Sequence, residues 1–217
     1  MTTSNRIIHG DCLEILKSMP TASADFILTD PPYFVRYRDR DGRTIANDVD
    51  PASVLGAFDD LYRILKPNCF CVCFYGWSKV NAFFDAWTRA GFKPVAHLVW
   101  HKDYASKSRY VRYTHEQAYV LAKGNPATPE NPIEDVQPWE YSGNRLHPTE
   151  KAVSVLEPLV QSFSEPGDLV LDPFAGSGSS LVAAALAGRS TLGIELEEKY
   201  CNLIRRRLSG VERYRAH

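Results

Sequence analysis

Apolar and polar positions along this chain alternate between two periods. Short apolar runs of strand length occur at residues 6–9, 25–29, 69–75, 95–100, 116–121, 168–171 and 191–195. Between them the spacing shifts toward 3.6 residues. Residues 12–16 read as a short helix with Asp11 as a candidate N-cap. Asp50-Pro51 opens a helix whose apolar face is Val54, Leu55, Phe58, Leu61 and Leu65, and Pro67 ends it. Ser78 caps a helix with Val80, Phe83, Phe84 and Trp87 inward, stopping at Gly91. Thr149 caps a helix to about residue 162, in which Pro158 predicts a kink or break. An alanine-rich helix runs from Ser177 to Gly188, and residues 197–208 form the last. Strand and helix alternate throughout, so the class is α/β with a mainly parallel sheet.

Three stretches show no period. Residues 34–50 are polar and basic and read as a mobile loop. Residues 101–115 mix basic and aromatic side chains. Residues 124–148 hold Pro126, Pro129, Pro132, Pro138 and Pro148 and read as a connector without regular structure. The chain therefore divides into a first half, 1–123, and a second half, 149–217, within one domain spanning 1–217.

Composition narrows this picture only in part. Hydrophobic residues make up 44% and charged residues 24% of 217 residues, which is ordinary globular usage. A formal net charge of −1 means that any nucleic-acid surface must come from local patches. The polar start excludes an ordinary signal peptide, and no run of about eighteen apolar residues predicts a membrane span. Five cysteines without an export signal point to reduced thiols and a cytoplasmic protein. Cys69, Cys71 and Cys73 face one side of a strand as buried thiols rather than metal ligands, and no metal is expected.

Candidate chemistry gathers at two strand ends. At the first, Phe26-Ile27-Leu28-Thr29 leads into Asp30-Pro31-Pro32-Tyr33. Two prolines forbid helix and strand alike, so a carboxylate, rigid carbonyls and an aromatic ring are presented at a carboxyl end. This set suits a flat molecule bearing an NH₂ group: Asp30 and a carbonyl accept its hydrogens, and Tyr33 stacks on the ring. At the second, Asp172-Pro173-Phe174-Ala175-Gly176-Ser177-Gly178 follows a strand and opens a helix, letting a ligand approach the backbone. About twenty residues on, Glu195 ends another strand where a carboxylate can accept both hydroxyls of a ribose. The pattern Gly-x-Gly-x-x-Leu lacks the third small residue of a dinucleotide fingerprint, and Asp172 would repel a pyrophosphate. It suits an ammonium or sulfonium group, which points toward S-adenosylmethionine.

These two motifs, with Gly10-Asp11, His147-Pro148-Thr149-Glu150-Lys151 and Ile194-Glu195, resemble the amino-methylating DNA methyltransferases that act on adenine N6 or cytosine N4. The catalytic motif precedes the cofactor motif, as in their β class. Ala152 stands where family members usually have proline. The resemblance implies a Rossmann-like class I methyltransferase fold, circularly permuted, with a mostly parallel seven-stranded sheet. It implies a catalytic half at 1–123 and a cofactor-binding half at 149–217. It places Asp11 near the cofactor adenine, Asp172, Phe174, Gly176 and Gly178 along the cofactor, Glu195 on its ribose, and Thr149 and Lys151 near its methionine carboxylate. The short middle of the chain leaves little room for a separate target-recognition domain.

The implied activity is methyl transfer from S-adenosylmethionine to adenine N6 in double-stranded DNA, with the base flipped out onto Tyr33. Asp30 and the Pro31 carbonyl draw the amino hydrogens into a geometry that localises the nitrogen lone pair. Three rivals remain: a cytosine-N4 enzyme, an RNA or protein-amide methyltransferase, and a binding module without turnover. The family more often has Ser at the first position for cytosine, so Asp30 favours adenine. DNA contacts are expected from the loops near 34–50 and 101–115, through Arg36, Arg38, Lys107, Arg109 and Arg112, with Tyr104, Tyr110 and Tyr113 between. One copy offers a small surface, so a homodimer is expected.

Overall fold

The structure is a computed structural model and describes residues 3–34, 51–106, 110–143, 146–147 and 149–215. Eight strands are described: β1 (Asn5–His9), β2 (Ala24–Thr29), β3 (Leu65–Phe74), β4 (Lys93–His101), β5 (His115–Lys123), β6 (Val136–Pro138), β7 (Leu169–Asp172) and β8 (Ser190–Glu195). They form one sheet in the order β1-β8-β7-β2-β3-β5-β4-β6. Only β5 runs antiparallel to its neighbours.

The central strands are apolar at consecutive positions because both faces are covered. Phe26, Leu28, Val72 and Phe74 pack on one side, and Ile27, Cys71 and Cys73 on the other. The second side is closed by α1 (Cys12–Ser18), α3 (Ala57–Ile64) and α4 (Val80–Ala90). The first is closed by α5 (Val153–Phe163) and α6 (Ser179–Leu186), with α7 (Glu198–Arg215) packed against α6. Cys71 and Cys73 are core residues and Cys69 is partly buried against them, and among the described residues no His, Cys, Asp and Glu cluster could hold a metal. No described helix is long and apolar enough to cross a membrane.

Several local expectations are corrected. The seven predicted strands are present, but the connector adds an eighth. The backbone of β6 pairs with β4 at Val99, Trp100 and His101 despite Pro138, which sits at its end where no ladder donor is required. The helix predicted from Asp50 to Pro67 is two: α2 (Ala52–Leu55) and α3, separated at Gly56. Leu65 has left the helix and pairs with Ala24 of β2. Pro67 lies in a register shift of β3, where its missing donor costs nothing. Ser78 belongs to a turn of 3-10 helix (Trp77–Lys79), and α4 begins only after it. Phe84 lies at the rim rather than inward. Thr149 is not an N-cap: α5 starts at Val153 with Ala152 at the cap and no side-chain bond there. Its helix continues through Pro158. Asp50, with most of the 34–50 loop, lies outside the described residues.

Candidate active site

Four adjacent parallel strands, β1, β8, β7 and β2, end on the same edge of the sheet. Each delivers one carboxylate there: Asp11 after β1, Glu195 on β8, Asp172 on β7 and Asp30 after β2. From β7 the connection through α6 leads outward to β8, whereas β2 lies on its opposite side beside β3. A cleft at such a reversal is where open α/β sheets bind ligands. Its free space, open solvent at the mouth included, is about 430 Å³, and its lining includes Asp30, Phe74, His147, Lys151, Asp172 and Gly176.

The glycine loop is shaped by contacts a side chain would block. Gly178 has φ +80°, and a Cβ there would lie 2.7 Å from Ile204 of α7. At Gly176 a Cβ would point at His147, 3.6 Å away. Leu181 stands where the fingerprint's third small residue would be. It is accommodated because Gly193 of β8 leaves room for its methyl group. The loop is anchored to its neighbours by carboxylates. Glu195 Oε2 accepts the Gly176 N–H at 2.8 Å, and its Oε1 accepts the Glu197 N–H at 2.8 Å. Asp172 is buried; its Oδ1 accepts the Phe174 N–H at 3.1 Å and its Oδ2 accepts the Ser180 hydroxyl. Burial pushes the Asp172 carboxyl up to about 6, against the pull of these bonds. Burial also raises Glu195 above the usual carboxylate range, and its backbone bonds oppose that. Asp11 caps α1, its Oδ1 accepting the Leu13 N–H at 2.8 Å.

On the β2 side, both oxygens of Asp30 are engaged. Tyr33 donates its hydroxyl to Oδ1 at 2.5 Å, and Lys151 donates its ammonium to Oδ2. The Lys151 side chain is only 8% exposed, and its Nζ lies 4.3 Å from the centre of the Phe74 ring. Burial, with the Asp30 charge beside it, holds the Tyr33 phenol well above its ordinary value. Pro31 is buried, and Pro32 and Tyr33 are half-buried. Lys151, placed beside the cofactor by sequence, is thus paired with Asp30.

The segment before α5 crosses the cleft mouth. His147 packs edge-on against Tyr200 with ring centroids 4.6 Å apart, and its Nδ1 lies 3.2 Å from the Thr149 hydroxyl. Burial pushes the His147 imidazole down to about 4, so it is neutral at physiological pH. Glu150 and Arg207 were not singled out as site residues by sequence. Arg207 of α7 donates to the Ser177 carbonyl at 2.8 Å and reaches the Glu150 carboxylate at 3.5 Å, holding the glycine loop and the crossing segment together. The acidic residue inside the His-Pro-Thr-Glu-Lys run was the only available signal for this pair. Of the expected DNA contacts, Arg112 is exposed, whereas Arg36, Arg38, Lys107 and Arg109 lie outside the described residues.

Comparison with known proteins places this geometry. YubD of Escherichia coli (strain K12) is 53% identical over 209 residues, covering 96% of this chain and 92% of the relative. The DNA adenine methyltransferase YhdJ of Escherichia coli (strain K12) is 28% identical over 250 residues, covering 97% of this chain and 84% of the relative. Among solved structures, the M1.HpyAVI–SAM complex superposes with a TM-score of 0.73 at 26% identity, covering 94% of this chain and 98% of that one. Residues 24–206 match the family described as DNA methylase, of the N6/N4 methyltransferases. The chain belongs to this N6/N4 DNA methylase family.

Proposed function

We propose that this protein is an S-adenosylmethionine-dependent DNA methyltransferase acting on the exocyclic N6 of adenine. The observation that carries the proposal is that Asp30, the first residue of Asp30-Pro31-Pro32-Tyr33, and the glycine loop line one cleft from neighbouring strands, β2 and β7. The similarity to YhdJ, named as an adenine enzyme, supports the choice of base.

The residues present fit this cofactor. Asp30 and Asp172 line the cleft and Glu195 holds its glycine loop, against the one ammonium of Lys151 on Asp30, a balance that favours a ligand carrying sulfonium and ammonium groups and disfavours phosphates. When bound, S-adenosylmethionine would supply an electrophilic methyl group, activated by the sulfonium sulfur that leaves as a neutral thioether. Each Glu195 oxygen holds one backbone N–H and has a second lone pair for a ribose hydroxyl. Asp11, with Oδ1 committed to α1, would have Oδ2 left for the adenine. Asp172, Phe174 and Gly176 line the site, with Thr149 beside His147, and Gly178 turns the loop against Ile204.

On the target side, Asp30 and the Pro31 carbonyl accept the amino hydrogens, and Tyr33 packs on the base. A base within duplex cannot enter this cleft, so it is extruded first. Lys151 occupies Asp30 Oδ2 with the same kind of donor, a nitrogen bearing hydrogens, that the target amine presents. The ammonium holds the carboxylate aimed before the base arrives, and it must share that oxygen as the amine docks. Preorganisation of this kind supplies rate without a proton first being removed.

Incubating the protein and S-adenosylmethionine with duplexes whose only exocyclic amines, outside guanine, are adenine's or cytosine's tests the proposal. Methyl incorporation into the adenine duplex alone is expected. Incorporation into the cytosine duplex would reassign the base to cytosine N4, and none into either would remove the activity.

A further inference from the structure

The carboxyl end of β3 carries an aromatic surface that methyl transfer does not use. Two residues beyond β3, at Gly76, a Cβ would lie 2.9 Å from the Tyr33 Cβ, so the chain turns directly against the proposed target pocket. The next residue, Trp77, is 57% exposed. Its indole stacks on Tyr113, with ring centroids 5.7 Å apart and planes 20° from parallel. Neither ring belongs to any of the three buried apolar clusters. Trp87 and Trp100 are buried, and Trp139 is half-buried. Trp77 alone among the four tryptophans faces solvent, with no core to fill.

The surroundings of the pair say what it would meet. Arg112, beside Tyr113, is exposed, and Lys79 follows Trp77 by two residues. The nearest acid along β5, Glu116, is already tied to the buried ammonium of Lys102. The surface therefore carries a stacked pair of aromatic rings with an exposed arginine next to one in the chain and a half-buried lysine two residues from the other. Flat aromatic faces beside cationic side chains suit a nucleobase, whose ring stacks while its phosphate meets the cations. A membrane or an apolar peptide would call for a broader, aliphatic surface.

We propose that Trp77 and Tyr113 form a nucleobase platform, which stacks a DNA base that loses its neighbour when the target nucleotide is extruded. The proposal rests on the DNA-methylating function above and adds a contact that the cleft itself does not contain.

Full-length Trp77→Ala and Trp77→Phe variants test it, with DNA affinity measured by anisotropy across a salt series, cofactor affinity by calorimetry, and tryptophan emission during DNA titration. Trp77→Ala should weaken DNA binding by about 5- to 150-fold, the range for loss of one stacked base. Trp77→Phe should retain affinity to within about threefold, because a phenyl ring still stacks. The salt slope and the cofactor affinity should not move, since no phosphate contact or cleft residue is touched. DNA should quench the parent's tryptophan emission, and Trp77→Phe should lose most of that quenching. If Trp77→Ala binds DNA like a parent that methylates it, the platform is wrong and the function stands. If both variants lose DNA and cofactor binding alike, the ring has a structural role and the platform is also wrong. If the parent neither binds nor methylates DNA, platform and function fall together.

Discussion

Lys151 and Asp30 stand 121 residues apart in the chain, and their contact ties the crossing segment to the end of β2. Removing one member of a buried pair leaves an uncompensated charge, so Lys151→Met should be costly where Asp30 is used. Turnover is expected to fall by about 10- to 100-fold, with cofactor affinity changed by less than about threefold. Calorimetry and single-turnover kinetics check this, and a large loss of cofactor affinity at normal turnover would put Lys151 on the cofactor instead. Asp172 gives a second test. With its carboxyl at about 6, it is protonated below that pH in the ligand-free protein. A cationic ligand favours the ionised form, so cofactor binding should release a proton near pH 6 and strengthen as pH rises through that value. Calorimetry in buffers of different ionisation heat reads the released proton directly, and heats independent of buffer would contradict the assignment. For folding, the sign differs from that of an ordinary salt-bridged carboxylate. The stabilisation from Asp172 is present below its ordinary 3.8 and is lost as pH rises through about 6. His147 acts oppositely: neutral in the fold, it withdraws stability as pH falls from 6.5 toward 4.

The glycine loop between β7 and α6 is the element whose backbone the site depends on most. Gly178→Ala would place a side chain at φ +80° and against Ile204. Strain and overpacking together should cost roughly 2–4 kcal/mol, read as a lower urea midpoint at unchanged slope. An alanine variant as stable as the parent would mean that the loop relaxes freely. The loop and seven of the strands were legible in the sequence because each rests on local chemistry: apolar runs, turn residues at their ends, glycines before a helix. What escaped rests on distant partners. The three residues of β6 are recruited by the exposed edge of β4, with no apolar run of their own. Leu65 follows the helical period of α3, but a partner on β2 takes its backbone. The start of α5 is delayed because the residues before it are used across the cleft, Thr149 by His147 and Lys151 by Asp30. Arg207 was invisible for the same reason, since nothing local to α7 marks one arginine of that helix as facing the glycine loop.

At the scale of the whole molecule, a net charge of −1 means that DNA is held by local cations against a weakly repulsive background. Arg112→Ala should therefore weaken DNA binding and lower the slope of log affinity against log salt by about 0.9, the share of one phosphate contact. An unchanged slope would take Arg112 off the DNA. This separates Arg112 from Trp77, where affinity should change without the slope. In the proposed function, Asp30, at the end of β2, receives the amino group of an adenine extruded from DNA. The most direct test is nucleoside mass spectrometry on DNA from cells expressing the protein, beside DNA from cells expressing Asp30→Ala at the same level. The account predicts N6-methyldeoxyadenosine in the first, and a loss of at least about 100-fold in the second while the purified variant still binds cofactor normally. N6-methyldeoxyadenosine at equal levels in both, or N4-methyldeoxycytidine in its place, would contradict it.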